Sequence, residues 1–213
     1  MSAASNLAVT VAWLSFLIAF ILGVISARTQ FCTLGAVSDI VNMGDYSRMR
    51  MWVLAMAVAI IGAQALYATG AIDLSKAFYV RPAVTWLSYL LGGLLFGVGM
   101  TLASGCGSRT LVRIGGGNVK SLVVFVFLGI AAYMTMKGLF GVWRVSFLDP
   151  IQIDVAARGA ATQEFGAVIA AVTGISRKTA QIGFAGVVAV AMLVFVLAGA
   201  DFRKSLDGWL GGL

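Results

Sequence analysis

The chain has 213 residues, 61% of them hydrophobic and only 11% charged, with a mean hydropathy of +0.99. That composition lies outside the soluble range and marks a membrane protein. The net charge of +7 comes from Lys and Arg residues spread along every connection instead of one stripe, so no nucleic-acid partner is expected and the basicity fits lipid headgroups or an anionic solute.

Crossing a hydrocarbon core takes roughly 20 apolar residues in a helix. Five stretches meet this requirement, at about 7–27, 50–70, 85–103, 119–140 and 180–200. They predict an all-α polytopic membrane protein, with residues 1–213 as a single membrane domain. Short re-entrant or half-helix segments carrying two cysteine motifs are expected between the spans. The first stretch lacks a basic n-region and is too long for a signal-peptide core, so it is expected to be retained.

Residues 27–50, "ARTQFCTLGAVSDIVNMGDYSRMR", are too apolar at "FCTLGAV" for an ordinary water-exposed loop and are expected to dip back into the membrane. Irregular backbone at that depth is tolerated only where protein or a watery cavity surrounds it. A lined path is the implication. In the third predicted helix, "WLSYLLGGLLFGVGMTLASG", Gly93 and Gly97 have the spacing that lets two helix backbones approach closely. Close helix packing and a narrowing around a permeating solute are the two readings of Gly92, Gly93, Gly97 and Gly99.

Residues 141–180 read as an aqueous or interfacial excursion with a short amphipathic piece near "EFGAVIAAVTG". After the fifth helix, "GWLGGL" resembles the first turn of another apolar segment. With the N-terminus outside, the inner connections hold Arg28, Arg48, Arg50, Arg109, Arg113, Lys120, Arg203 and Lys204. The outer ones hold Lys76, Arg81, Lys137, Arg144, Arg158, Arg177 and Lys178. Eight against seven is no bias under the positive-inside rule, and N-out is adopted only as a working orientation.

Two stretches carry chemistry, the first connection and "LASGCGSRTLVRIGGGN" at 102–118. Arg28 precedes Cys32 by four positions and Arg109 follows Cys106 by three. The stretches resemble each other in kind, too weakly for an internal repeat to rest on spacing alone. A thiol packs well as a small hydrophobe. A charge near the bilayer interior is costly and rarely unpaired, so Arg28, Arg109 and Arg113 either snorkel to the interface or face something negative.

Ser104, Gly105, Gly107 and Ser108 free the backbone to bend, so that N–H groups can converge on an anion at a helix start; a plain tight turn is the alternative. The order is not that of a phosphate-binding P-loop. A thiol is a weak donor with a weak, polarizable acceptor sulfur, which suits a large soft anion that must be admitted and then released. The candidate contacts are therefore Cys32, Cys106, Arg28, Ser104, Gly105, Gly107, Ser108, Arg109 and Arg113. Asp39 and Asp45 either couple protons or partner Arg48 and Arg50. The chain has no histidine, and its two cysteines form neither a zinc pattern nor a CxxC pair. No metal site, no cofactor and no enzyme active site are expected.

At "RTQFCTLGAVSDI" together with "LASGCGSRTLVRIGGGN" the sequence resembles the YeeE/YedE family of bacterial inner-membrane proteins, which import thiosulfate. The resemblance runs over about residues 10–213 and is strongest in these two motifs. It implies a channel-like transporter of two inverted halves, whose short loops and half-helices meet at a central constriction where cysteines pass the ion by S–H contacts. Cys32 and Cys106 would each touch the ion, while Arg109, Arg113 and the turn from Ser104 to Ser108 would shape and charge the approach.

Family members are longer and bring a further cysteine from a second half, so this chain resembles one half plus the linker. The other half is expected as a separate subunit, a second copy of this chain in a homo-oligomer, or a segment lost to truncation. Two other functions fit the residues. One is a membrane thiol protein relaying sulfane sulfur to a cytosolic carrier through a persulfide. The other is an inert structural subunit of another transporter.

Overall fold

The computed structural model of the chain describes residues 2–72, 83–154 and 164–212. Helix α1 (Ser2–Thr29) has no charge before Arg28 and is apolar all round, the pattern of a helix that meets lipid on most sides. Its large side chains from Leu7 to Val24 are all more than half exposed. The chain then turns at Gln30, whose φ of 50° is left-handed. Cys32, extended at φ −151° and ψ 124°, opens the short α2 (Thr33–Met43). Gly44 closes α2 at φ 68°, the left-handed conformation that a helix C-terminus favours and that glycine adopts without a Cβ penalty. The Asp45 carboxylate accepts the Ser47 amide at 2.9 Å and the Ser47 hydroxyl at 2.6 Å, and α3 (Ser47–Ala68) begins there.

The same plan recurs after strand β1 (Ala83–Val84). Helix α4 (Trp86–Leu102) ends in a turn with Ser104 at φ 56°, and Cys106, extended at φ −79° and ψ 167°, opens the short α5 (Gly107–Gly115). Gly117 turns at φ 82°, and the Asn118 side chain accepts the Ser121 amide at 3.3 Å to cap α6 (Val119–Lys137). Each unit is thus a long helix, a left-handed residue two positions before a cysteine, a short helix opened by that cysteine, a glycine turn and another long helix. This is a structural repeat that the spacing of cysteine and arginine alone did not establish.

Helix α7 (Leu139–Trp143) runs into a π-helical turn at Arg144–Leu148. Strand β2 (Ile153–Asp154) pairs antiparallel with β1, Ala83 opposite Asp154 and Val84 opposite Ile153. Helices α8 (Phe165–Thr173), α9 (Arg177–Leu197), α10 (Ala200–Lys204) and α11 (Leu206–Gly212) follow. The chain is an all-α membrane protein apart from that small strand pair. Among the described residues, five helices, α1, α3, α4, α6 and α9, are long and apolar enough to cross a bilayer, and they fall on the five predicted stretches. The amphipathic piece near 164–174 includes α8, and residues 208–212, "GWLGG", belong to α11. Lys76, Arg81 and Arg158, counted in the charge balance, lie outside the described residues.

The core gathers where α3, α9 and α10 meet. Met51, Leu54, Val196 and Phe202 are buried together, with Phe31 and Trp209 packed against them. Helix α11 reaches α3 through glycines, since a Cβ on Gly212 would stand 2.5 Å from Leu54 Cδ2. Phe31 belongs to this core and directly precedes Cys32, so the packing holds the first cysteine in place. Beyond the local backbone of α4 itself, no atom of the described residues lies within 4 Å of where a Cβ would sit on Gly92, Gly93, Gly97 or Gly99. Among the described residues, their spacing brings no second helix close.

Candidate functional site

The two short helices begin at the same point. Cys32 Sγ and Cys106 Sγ are 3.5 Å apart, and the residues are 1% and 8% exposed. Both cysteines are free thiols. The carbonyl of each closes the first turn of its own helix, Cys32 accepting the Ala36 amide at 3.0 Å and Cys106 the Thr110 amide at 3.1 Å. Buried Thr110 adds its hydroxyl to the Cys106 carbonyl at 3.1 Å. The thiols therefore sit at two helix N-termini, where unpaired N–H groups and the positive ends of the helix dipoles favour negative charge. The Cys32 sulfur is in reach of the backbone N–H groups of Gly35 and Cys106 and of the Arg109 side chain.

Arg109 lays its aliphatic stem over buried Gly105, and its Nη1 comes within 3.9 Å of where a Cβ on Gly35 would lie. It also lines a cavity of about 230 Å³ with Ser26, Ala27, Gln30, Phe31, Val112 and Arg113. Arg113 Nη1 donates to the Ser104 carbonyl at 3.4 Å and so braces the left-handed turn before Cys106. Gly107 is half-buried at the start of α5, and Ser104 and Ser108 are exposed. These residues cluster around one thiol pair. Arg28 is elsewhere: it is exposed, and its Nε donates to Asp207 Oδ1 at 3.2 Å, tying α1 to α11.

Beside the thiols, Arg48 comes from outside the cysteine–arginine motifs and meets Gly35 and Asp39 of the first one. Arg48 Nε stands 3.1 Å from Asp39 Oδ2 in an ion pair, and Arg48 Nη1 would lie 2.8 Å from a Cβ on Gly35. Asp39 is 8% exposed, and a buried carboxylate of that kind needs a cationic partner. The partner reading of Asp39 thus holds for Arg48, while Asp45 bonds Ser47. A signal was present, because Gly35 and Asp39 stand three and seven positions after Cys32 and so share a face of the helix it opens. Trp52 stacks on Phe31, the residue before Cys32, at 4.5 Å between centroids and 22° between planes.

A family model described as "Sulphur transport" matches residues 28–206, a range that begins just before the first cysteine motif and includes the second. The thiosulfate transporter TsuA of Spirochaeta thermophila is 27% identical over 148 residues, which are 68% of this chain and 43% of that protein. The thiosulfate transporter TsuA of Escherichia coli is 30% identical over 115 residues, 54% of this chain and 31% of that protein. The chain matches less than half the length of these curated relatives. Nearly its whole sequence, both cysteine motifs included, fits one family model, and the chain belongs to the sulphur transport family, the YeeE/YedE group.

Proposed function

We propose that this chain is one half, with linker, of a bacterial inner-membrane transporter of two inverted halves, and that it carries thiosulfate or a related sulfur-containing anion. The observation that supports this best is the pair of buried thiols 3.5 Å apart at the N-termini of α2 and α5. The anion approaches through the cavity beside Arg109 and Arg113 and is passed along Cys32 and Cys106 by S–H contacts. Arginine and helix dipoles attract its charge, and the thiols meet its soft sulfur with bonds weak enough to release it. The names of the two relatives support the choice of anion.

A persulfide relay to a cytosolic carrier would need an accessible thiolate, and the burial of both sulfurs favours contact over transfer. The test is thiosulfate-dependent growth of a transport-deficient bacterium making this chain, alone and beside a candidate second half. Growth in either arm is expected. Absence of growth in both, with the proteins present in the membrane, would overturn the reading.

A further inference from the structure

The space beside Cys32 holds an arginine that the cysteine motifs do not include. Gly35 lies in the first turn of α2, buried and without a left-handed φ, so nothing in its backbone demands glycine. Its surroundings do. A Cβ there would meet Arg48 Nη1 at 2.8 Å, Cys32 Cβ at 3.6 Å and Arg109 Nη1 at 3.9 Å. Three groups from α3, the α2 cap and α5 thus converge on a volume that any side chain would fill.

We propose that Arg48, aimed by Asp39 across the gap at Gly35, is a second guanidinium anchor for the permeant anion, facing the same point as Arg109. This rests on the transport reading above. Asp39 pairs with the Nε of Arg48 at 3.1 Å, and the Nη1 of the same guanidinium lies beside Gly35. Two guanidiniums against one carboxylate leave a net positive charge beside the thiols, and an anion completes the balance. The division of labour follows from chemistry. Planar guanidinium forks match the oxygens of a sulfonate-type group, while a thiol pair meets a soft terminal sulfur. The anion selected is one that carries both ends, a thiosulfonate-class ion in preference to a plain sulfur oxyanion. Arg48 binds, Asp39 positions, and Gly35 provides the room.

The test is initial-rate uptake of labelled thiosulfate by cells making the full chain, with its second half where growth requires it. The variants are Arg48→Gln, Arg48→Lys, Asp39→Asn and Gly35→Ala. Arg48→Gln is expected to raise KM about tenfold or more, the loss of one charge-assisted contact, with the maximal rate changed far less. Arg48→Lys is expected to recover part of that affinity because it restores charge without the fork. Gly35→Ala, which displaces the Arg48 guanidinium and leaves every charge in place, is expected to raise KM in the same direction. Membrane content and closure of a Cys32–Cys106 disulfide by diamide serve as folding controls, since a correctly folded variant keeps the sulfurs adjacent. A parental KM in well-folded Arg48→Gln or Gly35→Ala protein would overturn the proposal while Cys-dependent uptake survives. Loss of uptake by the parental chain itself overturns both readings.

Discussion

A thiol that merely packs can face any apolar neighbour, but Cys32 and Cys106 face each other, and the Cys32 sulfur has N–H donors and arginine in reach. Arginine near a bilayer interior stays charged and is kept only where something negative or watery meets it. Asp39 satisfies Arg48 in part, and Arg109 opens onto the cavity.

Outside the spanning segments, Asp45 is a simpler case. The hydroxyl of Ser47 and then its amide hold the Asp45 carboxyl below its ordinary value. A carboxylate depressed in the folded state stabilises it above the unfolded pKa, and that contribution is lost as pH falls through the folded one. Asp45→Ala is therefore expected to lower the melting temperature of detergent-solubilised protein at neutral pH, by a small amount because the group is exposed. The gap between variant and parent should close well below about pH 4. A gap that stays constant with pH would contradict the hydrogen-bonded carboxylate.

At the level of elements, the long helices were legible with their extents, and the short ones only as half-helix segments expected to carry the two cysteine motifs. Runs such as residues 7–27 and 180–200 announce themselves by length and apolarity, a signal that no local exception erases. The bounds of α2 and α5 escape that reading because cysteine is not a customary N-cap and their left-handed approach falls on Gln30 and Ser104 instead of glycine. The repeat escaped for the same reason: its units share backbone conformation, while position three after the cysteine is Gly35 in one and Arg109 in the other. At the site, Arg109 and Arg113 were readable from their nearness to Cys106. Arg48 was not, because a tertiary contact brings it back to Cys32 from the next helix. Arg28 shows the converse, being near in sequence yet paired with Asp207 at the surface.

Glycines divide the same way. A Cβ on Gly166 would stand 2.6 Å from Gln181 Cα, so α8 and α9 touch through it, while Gly97 has open space. Gly166→Ala is expected to destabilise the folded chain by about 1–3 kcal/mol through overpacking. Gly97→Ala, in a helix interior, should be neutral or stabilising by up to about 1 kcal/mol in the chain alone. Thermal unfolding of the two variants checks this, and equal destabilisation would contradict the packing described.

The molecule as a whole has little interior. A cluster of buried apolar side chains sits where α3, α9 and α10 meet, while α1 and α4 present apolar surface, and α4 has no buried residue. Water would not tolerate such a surface, whereas lipid does. With one conformation shared by both repeats, the fold brings two distant cysteines to one place, which a bundle of apolar helices does not need for stability. That convergence is the centre of the account. It is tested most directly by uptake of labelled thiosulfate in cells making the parental chain, Cys32→Ala or Cys106→Ala at equal amounts in the membrane, each with the same second half where growth requires one. Uptake by both variants is predicted to fall to background, and a parental rate in either would contradict the role given to the thiol pair.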